Sequence, residues 1–399
     1  MITVKNATSI VLDYALDFGT KLVPLRQAAG YVLAEDLNAD RDFPPFDRVT
    51  MDGIAIRYRT FANGERDFLI EGTQAAGVPQ MKLRNSDNCL EVMTGAILPQ
   101  GVDTVIRYED LEIENDIARI VSDDDLREGQ NIHRRAHDRS QGELILAPGR
   151  LLSPAEIAVA ATVGKAQIRV KKPPQVTIIA TGDEIVPVEA TPLTHQIRTS
   201  NTWAISALLA KWKIEATQLH LPDHQEQTLG GLRTALNQSD VLILSGGVSE
   251  GKFDYVPKAL TMLGVKKLFH KVQQRPGKPF WFGQAPNGTV VFALPGNPVS
   301  AFMCTVRYLE PWLRASLGLS PMEKKIAALS EDVVFKPNLT YFLQVQITTD
   351  DLGRPWAKPL AGGGSGDLAN LTEADGFLEL PAGRERYAAG EVFAYWGYR

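Results

Sequence analysis

Three short, wholly apolar runs limit what this chain can fold into: Val176–Ala180, Val241–Leu244 and Val290–Leu294. Each runs straight into a polar, glycine-rich turn. These turns are Thr181-Gly182-Asp183-Glu184, Ser245-Gly246-Gly247-Val248-Ser249 and Pro295-Gly296-Asn297-Pro298. Between the runs the texture is helical. Asn201 is expected to cap a helix through Lys213, and residues 224–238 and Tyr255–Leu263 read as helices. A further strand is expected at Thr217–Leu221, and a long final helix at Val299–Leu317. Apolar strands alternating with helices predict right-handed βαβ units on a parallel sheet covered on both faces. Such a sheet binds ligands beyond the carboxyl ends of its strands, and all three turns would emerge on that edge.

The remainder of the chain has a different texture. Ala7, Ile10, Val11, Ala15 and Phe18 lie at helical spacing over residues 4–18, and Gly19 ends the run. Residues 25–148 are short apolar stretches broken by Gly, Pro and Asn, with strand-like segments at Asp67–Glu71, Cys89–Met93 and Asp103–Arg107. Ser153-Pro154-Ala155-Glu156 reads as a capped helix start, and Lys171-Lys172-Pro173-Pro174 as a linker. After Ser320-Pro321 the pattern returns to short β segments. With 399 residues the chain exceeds what one core usually organises. The expected fold class is multidomain α/β plus β. A central, doubly wound parallel α/β domain covers 173–320, and a β-rich N-terminal domain covers 25–148. Residues 1–24 with 149–172 form a small helical or mixed linking domain, and 321–399 a C-terminal β-barrel-like domain.

Composition narrows the function. The net charge is −5, which sets a generic nucleic-acid binder aside. No apolar run reaches the roughly 18 residues of a membrane helix, and the N-terminal segment does not read as a signal peptide. A cytoplasmic protein with no membrane partner is expected. The two cysteines, Cys89 and Cys304, sit among apolar residues and form no zinc or disulfide framework. His133, His137, His195, His220, His224 and His270 neighbour no nucleophile elbow and read as surface or structural residues. Trp203 and Trp212 fit a helix packing face.

The chemistry concentrates in the loops. Glycines there let backbone N–H groups approach a phosphate, and helix N-termini favour anions; the bland reading of each turn is a turn. Arg275-Pro276-Gly277-Lys278-Pro279 adds two cations on a stiff segment, with a solvated turn as the rival. Carboxylates accompany them at Asp183, Glu184, Asp223 and Asp254. Mg²⁺, which prefers oxygen ligands, could bridge such groups to phosphate. Asp183 serves equally as a turn residue, and Asp254 as a helix cap.

Taken in order, these segments and three others form a set. The others are Pro44-Pro45-Phe46-Asp47 with Met51-Asp52-Gly53, Met93-Thr94-Gly95-Ala96, and Gly364-Ser365-Gly366. The set resembles the molybdopterin molybdenumtransferase family, that of bacterial MoeA and the gephyrin E domain, over essentially the whole chain. The resemblance implies a homodimer that works on adenylylated molybdopterin and molybdate with Mg²⁺, giving molybdenum cofactor and AMP, among other proteins of the molybdopterin pathway. It implies a catalytic set of Asp52, Asp138, Glu184, Asp223 and Asp254, with Glu184 and Asp254 as metal ligands. It implies substrate contacts from Thr94, Thr181, Gly182, Ser245, Gly246, Gly247, Ser249, Arg275, Lys278, Pro295, Gly296, Asn297, Pro298 and Ser365. Ile54, Thr199, Glu250, Arg275 and Gln344 depart from the family's usual residues. Two other readings remain: adenylyl transfer to molybdopterin, which needs only residues like 175–318, and a weakened paralogue serving as a scaffold or cofactor-binding protein.

Overall fold

The computed structural model describes residues 1–122, 126–248, 255–321, 325–360, 362, 364 and 366–399. The chain forms two compact units. One comprises Met1–Ala34, Pro148–Pro154 and Gln167–Arg399; the other comprises Glu35–Ala147 and Ala155–Ala166.

The first unit is built on a six-stranded sheet: β1 (Val176–Thr181), β2 (Thr217–Leu221), β3 (Val241–Ser245), β4 (Lys266–His270), β5 (Trp281–Gln284) and β6 (Val290–Leu294). Their order is β2-β1-β3-β6-β5-β4. The first four are parallel, as the alternating pattern requires. β5 and β4 pair antiparallel at the edge, so the sheet is mixed rather than purely parallel. The connection from β4 to β5 carries the basic loop, including Arg275 and Lys278.

The central strands β1, β3 and β6 read as continuous apolar runs because both faces are covered. Ile178 and Ile243 face a core with Ile205, Leu209, Phe292 and Trp312. Their neighbours Ile179, Leu242 and Leu244 face the opposite core with Leu232, Leu236, Val256 and Leu260. Each such side chain contributes roughly 1.5–3 kcal/mol by leaving water.

Helices at Asn201–Ala210, Gln225–Gln238 and Val256–Met262 cover the sheet. The long final helix is not uniform. It runs as α-helix over Pro298–Cys304, widens to a π turn at Thr305–Leu309, and resumes over Glu310–Ser316. The N-terminal helix spans only Val4–Asp13, shorter than expected, and Thr3 Oγ1 caps it by accepting from Asn6 N at 3.2 Å. It buries Val4, Ala7 and Val11. Trp212 is buried as expected, but Trp203 is 51% exposed and is not a packing residue.

Five C-terminal strands close into a barrel: Lys325–Leu329, Thr340–Thr349, Pro355–Pro359, Gly376–Leu380 and Val392–Gly397. Closure leaves these strands without a free edge. The final helix grips the barrel through Arg307, whose Nε lies 3.0 Å from Glu379 Oε2 and whose guanidinium lies 4.1 Å over the Trp396 ring.

The second unit is β-rich, as expected. Its six-stranded sheet has the order Thr104–Arg107, Gly53–Ile56, Cys89–Val92, Asp67–Gln74, Ile117–Ile120, Leu111–Glu114. From Ala155 onward the helix Pro154–Thr162 belongs to this unit. Among the described residues no helix is long and apolar enough to cross a membrane.

Candidate functional site

In the first unit the chain passes from β1 to β2 on one side and then to β3 on the other. The sheet order therefore reverses between β1 and β3, and a crevice opens at their carboxyl ends. A cleft of about 440 Å³ occupies this place. It gathers Thr181, Gly182, Glu184, Asp223, Ser245, Gly246, Gly247, Pro295, Gly296, Asn297 and Pro298 from four strand ends. An adjoining cleft of about 380 Å³ shares Pro295 and Asn297 with it and is lined by Arg275, Lys278, Tyr341 and Gln344.

The loops are held by specific bonds. Gly246 has φ +100°, and a Cβ there would lie 2.9 Å from Thr181 Oγ1 and 3.0 Å from Thr181 O. Any side chain at Gly246 would therefore push the first and second loops apart. Gly246 N donates to Leu294 O at 3.1 Å, and Gly182 N to Leu221 O at 3.3 Å. These two amides tie strand ends together, so they are not the phosphate donors that a glycine-rich loop suggests. Asp183 Oδ1 accepts from Asp223 N at 3.1 Å, which makes Asp183 the turn residue of its two readings. His220 Nε2 donates to Gly182 O at 2.8 Å, and His270 Nε2 to Val248 O at 3.1 Å; both are structural, as expected.

Asn201 departs from its expected role. It is the first helical residue and supplies no cap. Its Nδ2 instead donates to Ser245 Oγ and to Gly296 O, each at 2.8 Å, joining the second and third loops. Thr181 Oγ1 is buried beside them, with no hydrogen-bond partner among the described residues. A buried hydroxyl left unpaired costs about 1–3 kcal/mol, and a ligand in the cleft can supply the missing bond.

The basic loop is anchored from below. Gln274 is fully buried, its Oε1 accepts from Tyr308 Oη, and its Nε2 donates to Gly277 O at 3.1 Å. Gly277 has φ +86°, and a Cβ there would lie 2.7 Å from Cys304 Sγ. Tyr308 belongs to the π turn. Sequence reasoning missed Gln274 and Tyr308, because a buried amide in a loop has no signature until its partners are known. It also missed Tyr341 in the second cleft, which arrives from the barrel.

Asp52, Thr94 and Asp138 lie in the second unit. Thr94 N donates to Asp52 Oδ1 at 2.6 Å, and that bond holds the Asp52 carboxyl below its usual range. His133 Nε2 lies 2.9 Å and His137 Nδ1 3.5 Å from Asp138 Oδ1. Ser249, Glu250, Asp254 and Ser365 lie outside the described residues.

Fold and site together define a doubly wound α/β protein with its ligand cleft at the strand switch point, carrying a β-rich insertion and a C-terminal barrel. Three family models match: "MoeA N-terminal region (domain I and II)" over residues 2–164, "Probable molybdopterin binding domain" over 177–315, and "MoeA C-terminal region (domain IV)" over 327–397. The molybdopterin molybdenumtransferase of Synechocystis sp. is 39% identical over 400 residues, covering 100% of both chains. That of Synechococcus elongatus is 34% identical and covers 94% of each. A crystal structure of a molybdopterin biosynthesis MoeA protein from Pyrococcus horikosii superposes with a TM-score of 0.84 at 28% identity, covering 100% of this chain and 99% of the other. The chain belongs to the molybdopterin molybdenumtransferase family.

Proposed function

We propose that this chain is a molybdenum insertase: a transferase that places molybdate in adenylylated molybdopterin and releases AMP. The observation that carries this reading is the pair of adjoining clefts. One offers glycine loops, a buried hydroxyl with no partner among the described residues and the carboxylates of Glu184 and Asp223; the other offers Arg275 and Lys278. A nucleotide-bearing substrate and an oxyanion thus have neighbouring places, and the name borne by the relatives supplies the reaction.

The residues divide the work. Thr181 and the loop bearing Gly246 and Gly247 hold the phosphate-bearing part of the substrate. Arg275 presents a planar fork and Lys278 a point charge to the oxyanion, a local positive focus on a protein of net charge −5. Glu184, with Asp254, supplies carboxylate oxygens of the kind that Mg²⁺ prefers. Bound there, Mg²⁺ would neutralise phosphate charge. We further propose that the protein acts in the cytoplasm as a homodimer, with Asp52, Thr94 and Asp138 contributing from the second unit.

AMP release from adenylylated molybdopterin, measured with and without molybdate, tests the reading. Molybdate-dependent release is expected. Adenylylation of molybdopterin from ATP would establish the adenylyltransferase instead. Tight binding with no release would leave a scaffold.

A further inference from the structure

Among the described residues, one place brings three metal-ligating side chains together outside the clefts: His133, His137 and Asp138, whose ligand atoms all lie within 4.8 Å of one another. We propose that this trio is a binding site for a borderline divalent cation of the Zn²⁺, Ni²⁺ or Cu²⁺ class.

The geometry is close to that of a coordination shell. Zinc–nitrogen bonds of about 2.0–2.1 Å in a tetrahedron place neighbouring ligand atoms about 3.3 Å apart. The two imidazole-to-carboxylate edges measure 2.9 and 3.5 Å. The rings sit with centroids 5.0 Å apart at 73°, so both nitrogens converge on one carboxylate oxygen instead of stacking. Two nitrogens and one oxygen suit imidazole-seeking metals and not Mg²⁺, and a water would complete the shell.

The backbone holds the trio in place. Ala136 adopts φ +62°, turning the chain so that residues 133 and 137 face one another. Ala136 N donates to Pro44 O at 3.1 Å, and Asp138 N to Phe43 O at 2.8 Å. The nearby arginines are neutralised: Arg134 by Asp47 at 2.8 Å, Arg135 by Asp42 at 2.5 Å, and Arg139 by Glu143 at 3.1 Å.

Arg48 sets the affinity. Its Nη2 lies 3.1 Å from His133 Nδ1, and a guanidinium can only donate. In the free protein His133 therefore carries its proton on Nε2 and gives it to Asp138. A cation taking Nε2 moves that proton to Nδ1, and the exposed Arg48 side chain must turn away. Arg48 and the cation compete for opposite sides of one ring.

Titration calorimetry of ZnCl₂, NiCl₂ and MgCl₂ into the chelator-stripped full chain tests the proposal without reference to molybdenum chemistry. We expect one equivalent of Zn²⁺ or Ni²⁺ that depends on the two histidines, and any Mg²⁺ bound elsewhere to be unaffected by their replacement. His133→Ala and His137→Ala should each weaken binding at least tenfold; the His137 side chain is 70% exposed, so that variant keeps its fold. Arg48→Gln should tighten binding, because an amide oxygen accepts from Nδ1–H. Absence of one-to-one binding, or undiminished binding in both histidine variants, overturns the site. Weaker binding in Arg48→Gln overturns Nε2 as the ligand atom.

Discussion

Asn201 donates to Ser245 Oγ across 2.8 Å, from the first turn of a helix to the end of a parallel strand. The second hydrogen of the same amide goes to Gly296 O. One side chain thus fixes the spacing of two ligand loops. Asn201→Ala should weaken AMP binding at least tenfold in calorimetry and lower stability by only about 0.5–1.5 kcal/mol, since water can replace the donor at the exposed Gly296 O. Asn201→Asp should be no better, because a carboxylate cannot donate to a carbonyl. Wild-type affinity in both variants would show that the glycines alone shape the loops.

Thr181→Val replaces a buried hydroxyl that has no partner among the described residues with a methyl group of similar shape. Without ligand the variant should melt at or above the wild-type temperature, because an apolar isostere removes an unmet hydrogen-bonding need. With AMP the order should reverse, the variant gaining less from ligand. A stability loss without ligand would mean that the hydroxyl already has a partner, such as ordered water.

Glu184→Gln keeps shape and hydrogen bonding but loses charge. If Glu184 holds Mg²⁺, turnover should fall at least tenfold and recover partly at high Mg²⁺, while the melting temperature stays nearly unchanged. Activity with ordinary Mg²⁺ dependence would remove Glu184 from the metal site.

Gln274→Leu should cost about 1–3 kcal/mol by stranding Gly277 O and Tyr308 Oη in a buried site. It should also weaken molybdate binding, since the loop carrying Arg275 and Lys278 loses its anchor. Thermal unfolding and anion titration together check this; a stability loss with unchanged anion affinity would separate loop from anchor.

Burial pushes the Cys89 thiol up to about 12, and it raises Cys304 as well. Neither should react with a disulfide reagent at pH 8 until its surroundings open. Because Cys89 lies in one unit and Cys304 in the other, their labelling against denaturant should report each unit separately. Above pH 9 the unfolded chain gains thiolates that the native chain does not, so Cys89 makes stability fall between about pH 9 and about pH 12. Its replacement by Ala should flatten that part of the pH profile.

What the residues reveal before folding depends on how local the cause is. Three of the four parallel strands were legible because burial on both faces demands unbroken apolar runs such as Val241–Leu244; the mostly exposed edge strand Thr217–Leu221 has no such run. β4 and β5 were not. Lys266-Lys267 and Gly283 break the pattern, and Gly283 is required because Lys266 O of the neighbouring strand and the Trp281 ring lie against it. The final helix was legible, but its π turn is not a matter of propensity. It places Arg307 against Glu379 and Tyr308 against Gln274, partners distant in sequence. The cleft followed from strand ends and glycines. The roles of Asn201 and of the His133–His137 pair depended on tertiary placement, and residue type alone favoured cap and surface readings.

The threading of the chain through its two units has a consequence for its synthesis. The N-terminal helix belongs with residues 167–399, and Trp312 Nε1 donates to Tyr14 O across a sequence separation of 298 residues. On the ribosome the second unit is complete once residue 166 has emerged, and domains fold as units while the chain grows. Val4, Ala7 and Val11 must by then have waited uncovered, and they wait on until the final helix arrives. A nascent chain halted before Trp312 therefore leaves Val4, Ala7 and Val11 uncovered although the second unit is finished, and such apolar residues are what a chaperone binds and an aggregate begins from.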